Sequence, residues 1–465
     1  MSPGKRLKDE YAALSKTVCN LRNKKCMYRQ CKDCGVRKLM EDLQEVINSA
    51  GPFHWYRWQQ KKMADNKSRM VLHSKHGNGR ELVDELLEEL TFLSQHIFRA
   101  NWQQNAFDEV RKSPFRDGIV MTVNDFAENY SCFYQEEVQS AHWHYQQVTL
   151  HPTVAYYKCK SCPETVMESL VFISNDLKHD HHAVHHFNKM TMNHLQKERG
   201  LKVRKLIQWS DGCASQYKSK GPFADLAASS IDFPGVELQR NYFGSRHGKG
   251  PSDGESAVVK HRVTTAVKGE GKVVSNAEEF YHYCVGSTLL KKPNPNCCDH
   301  KQMLRSFFFV NTTEIKRDRQ RDVDTVKGTR QFHQVKCGGT GKSILTRHLS
   351  CLCVTCLSDD PTQKCQKPET DNWNEHKMQW SVHEPPSQLS SLDSPTNAQN
   401  VPLPPNPTKP VSPLPIPTLP ETDESAIPSP SATNVNRYVY TSYSSYHSAF
   451  LNRFFFAYGN YLHVN

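Results

Sequence analysis

The sequence predicts a mixed α/β domain on one central sheet, with small cysteine-rich appendages of zinc-binding type and a disordered C-terminal tail. Three observations carry this. Between residues 113 and 290, segments alternate in the order three strands, helix, strand, helix, strand, helix. Most of the sixteen cysteines fall in two basic segments on either side of that stretch. Hydrophobic residues make up 37% of the 465, low for a wholly globular chain, so part of it is expected not to fold.

Residues 1–50 form a basic, cysteine-bearing module ending in the helical stretch VRKLMEDLQEVINSA. Residues 51–112 read as a helical connector. It holds Trp55 and Trp58, and then Leu82, Leu86, Leu87, Leu90, Leu93 and Ile97 recur at helical spacing. That stripe predicts a long amphipathic helix over 80–112, its apolar side buried. In the core, IVMTV reads as a strand. SCFYQEE and residues 142–157 carry further β-rich runs, with Val148, Leu150 and Val154 at strand positions. LVFIS is a continuous apolar run, as expected of a strand covered on both faces. His181 to Arg199 reads as a helix, KLIQWS as a strand, PFADLAASS as a short helix and VELQRNYF as a strand. Helices are expected over Ala257 to Val267 and Ala277 to Cys284. Residues 291–370 are a second basic, cysteine-rich module. Residues 371–436, rich in Pro and Ser, cannot bury enough apolar surface to fold and read as a disordered linker. Residues 437–465 are an aromatic tail suited to partner binding.

The net charge is +11 and the pI near 8.8, which favours an acidic partner such as nucleic acid. The start, MSPGKRLKDEY, has no apolar core of a secretory signal, and no apolar run reaches membrane-spanning length. Sixteen cysteines without such a signal point to reduced thiols and metal sites. With DNA as partner, the expected location is the nucleus.

Three acids stand out. Asp125 follows Ile119, Met121 and Val123, so it shares their face if the strand runs on. An acid there must pair, bind metal, or lie at the strand's open end. Asp211 stands just past KLIQWS and before Gly212, where a turn role is the plain alternative. The third acid is Asp253 or Glu255. Ser252 to Glu255 reads as a capping box, which gives Glu255 a structural task and leaves Asp253 as the choice. Gly248, Gly250 and Gly254 permit close approach to a phosphate, with Arg246, His247 and Lys249 as donors beside the acids.

The stretches DFAENYSCFYQEEVQSAHWHYQQVTLHP, SLVFISNDLKHD, SDGCASQYKSK and NYFGSRHGKGPSDGESAVVK resemble uncharacterised transposon-derived proteins of animal genomes, over roughly residues 20–365. With the three spaced acids, they look like the RNase H-like fold of DDE/D-type transposases and integrases. The resemblance implies that Asp125, Asp211 and Asp253 are the first, second and third acids, holding two Mg²⁺ or Mn²⁺ ions for phosphoryl transfer on DNA. His247 and Lys249 would then contact the scissile phosphate. Homo-oligomerisation follows by the same analogy. The third acid departs from the pattern, standing at a helix start instead of inside the last helix. The rival expectation is an inactive, domesticated relative that keeps nucleic-acid binding without chemistry. A zinc-scaffolded interaction protein is a further alternative.

Cys19, Cys26, Cys31 and Cys34 could hold a structural Zn²⁺, as could Cys351, Cys353, Cys356 and Cys365, near Cys337, His333 and His348. Cys159 and Cys162 form a lone CxxC with no identifiable partners. In KHDHHAVHHF, His181 and His185 share a helix face, but His182 stands where a metalloprotease needs Glu. CGGTGKS lacks the first glycine of a phosphate-binding loop, since Lys336 occupies its place. Lys301, Arg305, Lys316, Arg317, Arg319, Arg321, Lys327 and Arg330, with Lys218 and Lys220, offer salt-dependent phosphate contacts.

Overall fold

The computed structural model describes residues 14–378, apart from 67, 134–145, 245–249, 294–297, 320–322, 339–341 and 359–364. The aromatic tail and nearly all of the Pro/Ser-rich segment therefore lie outside the described residues, as do Arg246, His247, Gly248, Lys249 and Arg321.

Among its described residues the N-terminal segment holds the short helices α1 (Lys24–Met27), α2 (Arg37–Asp42) and α3 (Gln44–Ile47). They are too short to bury a core of their own. Met27, Leu39 and Leu43 instead pack on Leu86, Leu90, Leu93 and Ile97 of the long helix α4 (Gly79–Lys112). The leucine stripe expected over 80–112 is thus a pairing face. Helix α4 begins in a reciprocal cap. Asn78 Oδ1 accepts from the Glu81 amide and Glu81 Oε2 from the Asn78 amide, each at 2.9 Å. It ends at Ser113, which the following Pro114 holds extended.

The connector is not all helical. Phe53–Lys62 and Ser68–Gly77 form an antiparallel hairpin, β1 and β2, that the helical expectation missed. Basic and amide side chains on both faces hide its two-residue period. Trp55 is its buried anchor, donating from Nε1 to Glu85 of α4 at 2.9 Å.

The central sheet is mixed α/β in character. Its strands are β3 (Ile119–Asn124), β4 (Tyr130–Ser131), β5 (Gln147–Lys158), β6 (Thr165–Ser174), β7 (Lys205–Ser210), β8 (Glu237–Tyr242), β9 (Leu304–Val310), β10 (Gln334–Cys337), β11 (Ser343–Arg347) and β12 (Asn374–Lys377). Their spatial order is β12-β11-β10-β8-β7-β3-β5-β6-β9, with β4 paired to β5. The pairs β3/β7, β7/β8 and β6/β9 are parallel and the others antiparallel. One expectation shifts here: Asn374–Lys377, placed in the linker, pair with β11 as a strand. Ser343 of the GKS segment opens β11 and not a helix, in keeping with the rejection of a phosphate-binding loop.

Helices cover both faces. Met121, Val123, Val154, Tyr156, Ile207 and Trp209 pack against Ala106, Phe107 and Val110 of α4. On the same side, Val148, Leu150 and Ile173 meet helices α8 (Pro251–Glu270) and α9 (Ala277–Gly286). The alternate residues Val120, Ala155 and Leu206 face α5 (His181–Asn193) and α6 (Lys220–Ala227). Helix α5 continues as a π-turn over His194–Glu198, and α7 (Ser229–Asp232) follows α6. Helix α8 starts six residues before the expected Ala257, with Pro251 at its first position, where a missing amide costs nothing. Among the described residues no helix is long and apolar enough to cross a membrane.

Candidate active site

Strands β3 and β7 run parallel in a register that pairs Val123 with Trp209. Carried two residues beyond that pair, one past each strand end, it brings Asp125 level with Asp211. By alternation, Asp125 continues the face of Met121 and Val123, and Asp211 that of Ile207 and Trp209. Helix α8 covers this same side, and Asp253 is its third residue. Chain direction, register and side-chain alternation thus bring towards one another three acids spread over 128 positions of sequence.

Their charges act on one another. Burial pushes the Asp125 carboxyl up to about 7, and repulsion from Asp211 and Asp253 adds to it against one hydrogen bond from the Phe126 amide. Burial also raises Asp211, with Asp253 adding, while the Cys213 amide and Lys218 act the other way. The turn alternative for Asp211 is realised. Its Oδ1 accepts from the Cys213 amide at 3.0 Å, an Asx-turn, leaving Oδ2 available.

Glu255 does have a structural task, but a different one from that expected. The Ser252–Glu255 capping box does not form. Arg305 of β9 donates to both Glu255 oxygens, Nε at 2.7 Å and Nη2 at 3.1 Å, in a buried two-pronged pair. Asp253 is the residue that caps α8, its Oδ2 accepting from the Gly250 amide at 2.8 Å. It is exposed, with one oxygen engaged in the cap. Among the described residues, only cysteine-rich groups bring three or more ligand atoms within 4.8 Å of one another; the acidic trio is more open.

Neighbours of the acids carried little sequence signal. Lys218 is buried, its Nζ donating to the Arg330 carbonyl at 3.3 Å and lying 4.9 Å from the centre of the Tyr242 ring. It is no surface phosphate contact. Burial, with Arg99, pushes its ammonium down to about 8, and Asp211 pulls the other way. Tyr217, fully enclosed, lies close enough to Asp125 and Asp211 to feel both charges, and Asn124 hydrogen-bonds its hydroxyl. That hydroxyl also meets His151 Nε2 at 3.1 Å, and burial holds His151 neutral, down to about 3. Asn124 Oδ1 and His151 Nδ1 have no partner among the described residues. A lone Asn before a strand-end Asp could have flagged this floor. The Tyr and His could not be placed without the fold.

Other acids and bases that looked available are paired. Arg317 donates to both oxygens of Asp176, at 2.7 and 3.1 Å, and to Asp180 at 2.7 Å. Arg319 and His181 both bind Asp225. His185 faces Asp232 at 3.9 Å. Of the basic segment read as a phosphate-binding face, Arg305, Arg317 and Arg319 are therefore turned inward onto carboxylates.

The cysteines gather in three groups. Cys19, Cys26, Cys31 and Cys34 converge, as do Cys351, Cys353, Cys356 and Cys365, and each set could hold a metal such as zinc. Cys337, His333 and His348 stand outside the second set. Cys337 Sγ donates to the Ala227 carbonyl, His333 Nδ1 faces the Gln331 and His348 carbonyls, and His348 binds Asp371. The third group joins Cys159 and Cys162 to Cys298 and His300. These are the partners the lone CxxC lacked in sequence.

The family described as "Domain of unknown function (DUF8701)" matches residues 103–350, more than half of the chain. No curated protein matches. Among solved structures, the crystal structure of NurA bound to dAMP and manganese aligns at 13% identity over 41% of this chain, with a TM-score of 0.11. The alignment spans 34% of that chain, about a third of its length. An overlay this loose carries no argument.

Proposed function

The chain belongs to this family of unknown function, and we propose that it is a transposon-derived, DDE/D-like phosphoryl transferase that nicks or joins DNA, on an RNase H-like core. One observation carries the reading: Asp125 and Asp211 stand at the matching ends of adjacent parallel strands, with Asp253 near enough to raise the pKa of both. Strained, mutually repelling carboxylates are common at functional sites and costly elsewhere. The sheet supports the fold assignment. Three antiparallel strands, β6-β5-β3, are extended beyond the first by two parallel ones, β7 and β8, with acids at the ends of the first and fourth in chain order.

The donor set fits hard divalent cations. Asp125, Asp211 and Asp253 offer oxygen ligands whose repulsion a cation relieves, as Mg²⁺ or Mn²⁺ would. Such ions, when bound, supply Lewis-acid activation of a water or 3′-hydroxyl. The protein's own part is to hold the ligands. Asp125 ionises near neutral pH, so binding displaces a proton there. Tyr217, kept protonated, ties Asn124 at the end of β3 to His151 of β5. His247 and Lys249, close to Asp253 in sequence, are assigned to contact the phosphate or adjust the site, and the nucleus is the matching location.

The test is Mg²⁺- or Mn²⁺-dependent nicking of supercoiled DNA by the full chain. Loss in both Asp125→Ala and Asp211→Ala is expected, and undiminished nicking in both sinks the proposal. A second reading, a DNA-binding protein without chemistry, draws on the exposed, cap-engaged Asp253. It predicts salt-sensitive DNA binding that survives those substitutions and no metal-dependent cleavage.

A further inference from the structure

Cys159 lies one residue past β5, and Cys162 lies in the turn before β6. Cys298 and His300 come from the segment that leads into β9, and His300 stands 138 positions from Cys162 along the chain. The four ligand atoms all lie within 4.8 Å of one another. Cys162 Sγ is 3.1 Å from His300 Nδ1, and Ser161 Oγ bridges Cys159 Sγ at 3.5 Å and Cys298 Sγ at 3.7 Å. Around a tetrahedral Zn²⁺, sulfur–sulfur and sulfur–nitrogen edges are about 3.5–3.8 Å. The Cys162–His300 edge is within about half an ångström of that range, and no edge of the group exceeds 4.8 Å.

The surroundings suit thiolates. The Ser161 amide donates to Cys159 Sγ and the Glu164 amide to Cys162 Sγ. Backbone donors aimed at sulfur stabilise the deprotonated form that a metal requires. Only Cys159 of the four is fully buried. The others are half-buried, Cys162 and Cys298 packing against the edge of the core that holds Cys159.

We propose that Cys159, Cys162, Cys298 and His300 bind one structural Zn²⁺ that staples the entry of β9 to the β5–β6 hairpin. The site lies at the end of the sheet away from Asp125, since Val120 at the start of β3 pairs with Tyr157. It fixes the strand that, five residues after His300, presents Arg305 to Glu255. The staple therefore sets the seat of α8 from the far side of the sheet. It is independent of whether the acids perform chemistry.

The experiment is zinc stoichiometry of the purified full-length chain by mass spectrometry of the metal, with Co²⁺ substitution as a spectroscopic probe. Cys162→Ser is expected to lose one zinc equivalent relative to the unsubstituted protein, whatever the other two clusters hold. His300→Cys keeps the equivalent and converts one cobalt spectrum from a three-sulfur to a four-sulfur type. That arm decides the matter where Cys162→Ser does not fold. An unchanged zinc count in Cys162→Ser, or an unchanged cobalt spectrum in His300→Cys, overturns the proposal. So does a Cys159–Cys162 disulfide recovered from the unreduced protein.

Discussion

The buried carboxylates of this sheet fall into two sets that are handled in opposite ways. On the α5 side, Glu168 accepts from His194 at 2.7 Å, from Arg199 and from Tyr157, and Asp176 and Asp225 have Arg317 and Arg319. Burial alone would raise these acids, yet their partners pull all three below the ordinary carboxylate range, Glu168 to about 2. On the α8 side, Asp125 and Asp211 are raised by burial, with Asp211 and Asp253 adding to Asp125 and Asp253 adding to Asp211 against the Cys213 amide and Lys218. Composition cannot separate the sets, because both are acids near strand or helix ends. Partner and sign can. A fold that satisfies its other buried acids and leaves one group in mutual repulsion has put strain where a cation would relieve it.

Substitution should split the sets by the kind of loss. Asp125→Ala and Asp211→Ala should lower metal-dependent nicking about a thousandfold or more while the protein stays folded. Asp253→Asn separates two roles, since asparagine can keep the cap on Gly250 while removing the ligand charge. A loss matching Asp125→Asn makes Asp253 a ligand. Unchanged nicking makes it a cap alone, and the contrast then rests on two acids.

In the satisfied set the loss should be of stability. Asp225→Ala leaves Arg319 and His181 without their shared acid and should cost about 3 kcal/mol, read from urea unfolding. A cost under about 1 kcal/mol would mean that this network is screened, and the contrast between the sets would weaken.

Much of the fold was legible because its periods are strong. The stripe from Leu82 to Ile97, the apolar LVFIS run and the KLIQWS strand all became the elements their patterns imply. The β1–β2 hairpin was not, because Arg57, Lys61 and Lys75 interrupt its alternation and its core is a single tryptophan. Asp125 and Asp211 were visible as strand-end acids. Their adjacency was not, since only parallel pairing of strands separated by three others along the chain aligns them. Choosing Asp253 over Glu255 came from local pattern, whereas the reason lies in Arg305, fifty positions away. Long-range partners such as Cys298 and His300 for the CxxC leave no local trace at all.

The smallest effect has the sharpest sign. Asp125, near 7 in the fold against roughly 3.9 unfolded, contributes a stability that is present below about pH 3.9 and lost as pH rises through 7. Glu168 runs the other way: its contribution is present above about pH 4.3 and lost as pH falls through 2. At pH 8 without divalent ions, Asp125→Asn should therefore stabilise the protein, on the order of 1 kcal/mol, and the gain should vanish near pH 4. Mn²⁺ should raise the melting temperature of the unsubstituted chain more at pH 8 than at pH 6, because the ligand must first lose its proton. It should do so less in Asp125→Asn. Thermal melts across that grid of pH and Mn²⁺ test the point without any cleavage assay. Equal Mn²⁺ shifts in both proteins would show that the repulsion at the strand ends is not the ion's site, even if the two sets of acids differ as described.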